Sequence, residues 1–266
     1  MSTEATLTVD DDGVALITLD GTERLNTFSR VTARSLSAAL RTCDADDGIR
    51  AVVITGAGTA FCGGADLSSG SSAFAEPDVE FSASPVQPPS WQVDKLVIAA
   101  VNGHAIGIGL TLALQCDLRL VAEDAKLAIP QVRRGMIGDA QSHYTLRRLA
   151  GTAVAADMLL TGRTIRGAEA VARGLANQAL AADDVLPAAL AVARDVALNV
   201  SPAALALSKR LLWSALPAEQ VEHEETRAHR LLIGHPDAVE GPAAWRERRT
   251  PRWSYQVSDL TADLGQ

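Results

Sequence analysis

Two short apolar runs, AVVITG at residues 51–56 and LVIAAVNG at residues 96–103, each stop at a glycine-rich turn and are each followed by further strand or helix signals. A brief β-branched and aliphatic run bounded by glycine reads as a strand. Ahead of the first run, residues 5–20 (ATLTVDDDGVALITLD) alternate apolar and polar on both sides of an Asp-Asp-Gly turn, the pattern of a β-hairpin. From Ser29 to about Cys43, the apolar residues Val31, Leu36 and Leu40 recur at helical spacing. Following the second run, GIGLTLAL (107–114) opens a helix and DLRLVAE (117–123) reads as another strand. Alternation of this kind confines the chain to an α/β core.

The remainder divides in two. Residues 67–90 are rich in Ser and Pro, carry little periodicity and read as one long loop, a length that is usually functional or disordered. Beyond about Gln141 the signal is helical almost throughout, with breaks near Gly162, Pro187, Pro202, Pro217 and Pro236. We therefore expect a core over residues 1–200 and a helical region over 201–266, with no internal repeat. With 24 Lys and Arg against 32 Asp and Glu, the net charge of −8 speaks against nucleic-acid binding by bulk charge. No stretch reaches the roughly 18 apolar residues of a membrane span, and the first residues lack the basic and apolar regions of a secretory signal. Cys43, Cys62 and Cys116 are scattered and odd in number, which suggests neither a disulfide framework nor a metal site and points to a reducing cytoplasm.

The glycine turns are where chemistry would sit. TGAGTAFCGGADLS (55–68) and VNGHAIGIGLTLA (101–113) each follow a strand, but neither completes the Gly-x-Gly-x-x-Gly of a dinucleotide site: the third position is Phe61 in one and Leu112 in the other. The other physical use of such turns is to leave backbone N–H groups unpaired, so that two turns facing one pocket donate to the same carbonyl oxygen. A thioester suits this arrangement, because its oxygen gains charge when the neighbouring carbon is deprotonated.

FCGGADLS, followed by VNGHAIGIGLTLALQCDLRLVAEDAKLAIPQVRRGMIG, resembles the crotonase, or enoyl-CoA hydratase/isomerase, superfamily. The likeness runs from LNTFS (25–29) through LLTGR (159–163) and GLANQAL (174–180) to HPDAVEGPAAWRERR (235–249). It implies a crotonase-like spiral of β-β-α units with a C-terminal helical region that trimerises, the trimers often pairing into hexamers. The substrate it implies is an acyl-CoA thioester, with no separate cofactor, since coenzyme A enters as part of the substrate. The two oxyanion amides fall on Ala65 and Ile108. The CoA moiety falls against Arg24, Leu25, Ala60 and Gly63, and Trp245 and Arg248 fall at its nucleotide end, often supplied by a neighbouring subunit.

Departures from the family pattern bear on the reaction. The two glutamates that typical hydratases carry fall here on Thr111 and Gln131, and neither a hydroxyl nor an amide accepts a proton near neutral pH. Efficient hydration by that pair is not expected. Asp139 aligns with the catalytic aspartate of the dienoyl-CoA isomerases, and one carboxylate suffices for a double-bond shift; its plain alternative is a helix N-cap. His143 stands four residues on, and if the segment is helical the two share a face, which would suit a hydrolase or lyase. The remaining alternative is an acyl-CoA-binding protein without chemistry. Cys62 reads as pocket lining, His104 as packing, and Tyr144 as a possible donor into the pocket.

Overall fold

Each glycine turn proves to be a corner at which the chain leaves one sheet for another. The computed structural model describes residues 2–67 and 81–263; most of the long Ser/Pro-rich loop read from the sequence lies outside the described residues. Strands β1 (Glu4–Val9) and β2 (Val14–Asp20) form the expected antiparallel hairpin. Parallel to β2 follow β3 (Ala51–Gly56), β5 (Leu96–Val101), β7 (Leu118–Ala122) and β10 (Gln178–Leu180), giving a sheet in the order β1-β2-β3-β5-β7-β10. The short strands β4 (Ala60–Cys62), β6 (His104–Ile106), β8 (Lys126–Ala128) and β9 (Thr164–Arg166) make a second sheet in that order. Helix α1 (Arg30–Ala45) precedes the strand pair β3/β4, while α2 (Ile108–Ala113) and α3 (Ser142–Thr161) follow the pairs β5/β6 and β7/β8. This is a spiral of β-β-α units.

The corners are held by contacts that only glycine permits. A Cβ on Gly56 would lie 2.2 Å from the Ala60 carbonyl oxygen, and one on Gly103 would lie 2.1 Å from that of Thr59. Two asparagines clamp the same turn. The buried Asn26 donates through Nδ2 to the carbonyls of Ala57 and Ala60, both at 2.8 Å, while Asn102 Nδ2 donates to those of Gly56 and Gly58, both at 2.9 Å. Helix α1 starts at a reciprocal Ser29–Thr32 capping box and buries Leu36, Leu40 and Cys43 against the sheet, whereas Val31 lies on its exposed face.

The C-terminal part holds α4 (Gly167–Ala172), α5 (Ala182–Asn199), α6 (Pro202–Trp213), α7 (Ala218–Leu232), α8 (Pro236–Glu247) and α9 (Val257–Asp263). It is not all helix: β9 and β10, each three residues, lie inside the stretch read as helical, too short to show a period of two in sequence. Pro187 is no break either, since it sits inside α5, where its missing N–H forfeits one bond to the preceding turn. The other breaks stand: Gly162 is a left-handed C-cap, Pro202 and Pro236 begin helices, and Pro217 precedes one. Helix α5 covers β3, β5 and β7 and belongs to the main hydrophobic core, while Ala203, Ala206, Leu207, Tyr255, Val257 and Leu260 form a separate cluster. Among the described residues no single helix is long and apolar enough to cross a membrane.

One buried ion pair bolts α6 to the main sheet. Lys209, 5% exposed, donates to Asp117 Oδ2 at 2.6 Å and to the carbonyls of Ser90 and Lys95, and Asp117, 8% exposed, also accepts from Trp213 Nε1 at 2.8 Å. Burial pushes the Lys209 ammonium down, and the adjacent carboxylate opposes that shift. Replacing Lys209 with Met leaves Asp117 as an uncompensated buried charge, so Lys209→Met should cost about 3–5 kcal/mol in urea unfolding. A cost below about 1 kcal/mol would show that the pair is no bolt.

Candidate active site

The two glycine turns pack against each other. Beyond β4, Phe28 and Ala65 form a parallel bridge in which Phe28 donates to the Gly64 carbonyl and accepts from the Asp66 amide, each at 2.8 Å. In that pattern the N–H of Ala65 points away from Phe28. Gly107 (φ 57°) turns the chain into α2, whose first intrahelical donors are Leu110 and Thr111, so the Ile108 amide is one of the helix's unpaired N–H groups. Close packing joins the turns. A Cβ on Gly109 would come within 2.5 Å of the Cys62 carbonyl oxygen, and one on Gly64 within 3.0 Å of that of Ile106. Among the described residues neither the Ala65 nor the Ile108 amide has a hydrogen-bond acceptor.

A carboxylate is brought to the same place by a third element. Asp139 lies between the 3-10 turn Pro130–Arg134 and α3, and both its oxygens are engaged: Oδ1 accepts from Thr111 Oγ1 at 2.6 Å, and Oδ2 from Gln131 Nε2 at 3.3 Å. The sequence-predicted Thr111, Gln131 and Asp139 therefore converge. Burial pushes the Asp139 carboxyl above the ordinary carboxylate range, and the two donors pull it part of the way back. The carboxylate is not an N-cap. Gln141 holds the N-cap position of α3, and only the Asp139 backbone carbonyl meets the helix, through the Ser142 amide at 2.9 Å.

Other expectations separate here. The helical spacing that would pair Asp139 with His143 does not exist, because Ala140 (φ 43°) and Gln141 (φ 51°) are left-handed; His143 is exposed on the first turn of α3. Tyr144 donates to the Trp213 carbonyl, not into the site. His104 Nδ1 accepts from the Lys126 amide. Cys62 is buried beside Gly109, and its thiol is pushed up to about 11 by burial, with the Asp139 charge adding to the rise, so it lines the site without serving as a nucleophile. Sequence reasoning gave no role to Asn26, whose left-handed φ of 55° is the kind of special backbone position that asparagine tolerates, nor to Gln115, for which the sequence carries no signal.

Of the residues assigned to CoA, four are neighbours. The Gly63 amide donates to the Leu25 carbonyl at 2.8 Å, Leu25 is left-handed and half exposed, Arg24 pairs with Asp66 at 2.9 Å, and the buried Ala60 gives its carbonyl to Asn26. Trp245, 81% exposed, and Arg248, which caps α8, instead line a separate surface groove with Ala244, Arg246 and Arg249. Arg249 is already engaged by Glu240 and Glu247, which leaves Arg246 and Arg248 as the groove's cations without a described ion pair.

Comparison with known proteins gives one consistent answer. The enoyl-CoA hydratase/isomerase family model matches residues 10–256. An enoyl-CoA hydratase of Alternaria alternata is 33% identical over 258 residues, covering 96% of this chain and 87% of that protein. Among solved structures, one from Mycobacterium abscessus described as a probable enoyl-CoA hydratase/isomerase is 50% identical with a TM-score of 0.92, covering 96% of this chain and 100% of that one. An enoyl-CoA hydratase from Bacillus anthracis is 29% identical with a TM-score of 0.84, covering 94% and 98%.

The raised carboxyl has a consequence for stability. Because the Asp139 pKa is above its unfolded value, its contribution is fully present at pH below that unfolded value and is lost as pH rises through the folded one. Asp139→Asn should therefore be more stable than the parent in urea at about pH 7, with the difference shrinking toward about pH 4. A variant destabilised equally at both would mean that the ionised carboxylate is not under strain.

Proposed function

Because the chain belongs to the enoyl-CoA hydratase/isomerase family, we propose that it shifts a double bond in an enoyl-CoA thioester through a single carboxylate, Asp139. The observation that carries this reading is the pair of bonds from Thr111 and Gln131 to Asp139. The two positions where hydratases of the family carry glutamates here spend their donors on orienting one base. Asp139 takes a proton from the α-carbon of a 3-enoyl thioester, and the C–H electron pair moves into conjugation with the thioester carbonyl. The resulting dienolate oxygen is met by the amides of Ala65 and Ile108, preorganised donors where charge develops. Asp139 then returns the proton to the γ-carbon, giving the 2-enoyl thioester. Atoms and charge balance with one base and no second acid.

The environment of the carboxyl favours this use. A base held above the ordinary carboxylate range accepts a carbon-bound proton more readily than a solvated aspartate does. Arg24, Leu25, Ala60 and Gly63 seat the pantetheine and adenine, and in a trimer or hexamer assembled through residues 201–266 the groove of Trp245 and Arg248 reaches the nucleotide end of a neighbouring subunit's ligand. Hydration by a glutamate pair lacks its groups. The Asp139–His143 reading lacks its geometry, and a purely binding protein has no use for a carboxylate kept partly desolvated.

With a 3-enoyl-CoA as substrate, Asp139→Asn should lower the isomerisation rate by roughly 10²- to 10⁴-fold. The base works ionised, so the rate of the parent should rise with pH through an acid limb lying above the ordinary aspartate range. Thr111→Val removes a donor to the ionised form and should move that limb higher. Full turnover by Asp139→Asn, or hydration of a 2-enoyl-CoA that outpaces isomerisation, would sink the proposal.

A further inference from the structure

Asp139 is aimed by a bend that L-residues disfavour. The two residues after it, Ala140 and Gln141, both lie in the left-handed region although neither is glycine, and each such residue is held against a local preference for φ below zero. Two side groups and one backbone bond hold them. The Gln115 amide nitrogen donates to the Ala140 carbonyl at 3.0 Å and to Gln141 Oε1 at 2.8 Å. Gln141 Nε2 passes the link on to Ser84 Oγ, and the Ala140 amide donates to the Ala83 carbonyl at 2.6 Å.

Gln115 is itself 1% exposed, and its Oε1 is buried with no hydrogen-bond partner among the described residues. A buried acceptor left unmet disfavours the fold, so a residue of this kind is a poor choice for stability alone. It follows Leu114, the C-cap of α2, and Thr111 on that helix is the group that meets Asp139 Oδ1. One short segment thus holds both the carboxylate and the bend that delivers it.

We propose that Gln115 is a positioning residue for Asp139, acting by clamping Ala140 and Gln141 in the left-handed conformation, with Gln141 linking that clamp to the chain at Ser84. This rests on the reading of Asp139 as the base. Without the clamp the pair relaxes, the carboxylate leaves Thr111 and Gln131, and the base is both misplaced and deprived of the donors that favour its ionised form.

The test is Gln115→Leu, which keeps the volume and removes the donor. Its melting temperature should fall only slightly, because the Ala140 carbonyl and Gln141 Oε1 lose that donor while the unmet acceptor goes too. With a 3-enoyl-CoA, kcat should fall roughly 10- to 100-fold while KM stays within about twofold, and the acid limb should move to higher pH. Adding Ala140→Gly should restore most of kcat, since glycine enters the left-handed region without a clamp. A crystal structure of Gln115→Leu should show Ala140 and Gln141 out of that region. Unchanged kcat and acid limb, or a loss of kcat with the left-handed pair unmoved, would overturn the proposal. Should Gln115→Leu fail to fold, Gln141→Ala replaces it, with a smaller fall in kcat and the same upward shift of the limb expected, and no change in either counting against the clamp. Asp139→Asn is measured alongside: if it turns over like the parent, the base reading has failed, and the clamp is then decided by the backbone of Gln115→Leu alone.

Discussion

The structure depends on how closely two backbones can pass at a glycine. At Gly56 and Gly103 the chain turns from the long parallel sheet into the short one, and the space a Cβ would occupy is already filled by a neighbouring carbonyl oxygen. Such an approach leaves carbonyl groups crowded together, and the side-chain amides of Asn26 and Asn102 satisfy four of them. Gly109 extends the same principle to α2, which can lie against β4 only because it presents no side chain there. From these contacts come the juxtaposed turns at Ala65 and Ile108.

On that scaffold, charge is handled by an unequal division of labour. The Lys209–Asp117 pair is buried and mutually compensated, and its role is mechanical. Asp139 is partly buried with only neutral donors for company, a hydroxyl and an amide, and so stays above its ordinary range. The difference between the bolt and the raised carboxyl is whether a counter-charge is present. Cys62 beside it shows the complementary case, a thiol whose burial keeps it neutral.

Much of this was legible in the chain itself. The hairpin, α1, the strands at 51–56 and 96–101 and the opening of α2 follow from period and glycine punctuation, and the family resemblance singles out Thr111, Gln131 and Asp139 together. What escaped has physical reasons. Strands β9 and β10 are three residues long, and their pairing partners, β8 and β7, lie tens of residues away in sequence. The relation of Asp139 to His143 turned on two backbone torsions at Ala140 and Gln141, residues whose identity gives no warning of a left-handed bend. Pro187 looked like a stop because proline is judged locally, whereas α5 is held in place by the sheet beneath it. Gln115 is invisible in sequence because its meaning lies wholly in what it touches.

The bolt between α6 and the sheet also sets a schedule for the chain during its synthesis. Lys209 and Asp117 are 92 residues apart, and the Trp213 carbonyl that receives Tyr144 belongs to the same late segment. Tyr144 lies in the first turn of α3, directly after the bend that carries Asp139, and Trp91 packs between Tyr144 and Trp213, tilted against the first and stacked on the second. During synthesis the start of α3, next to Asp139, therefore lacks its contact with the Trp213 carbonyl until residue 213 has emerged. A chain that stops short of residue 209 forgoes both the Lys209–Asp117 pair and the Trp213 contacts at the start of α3.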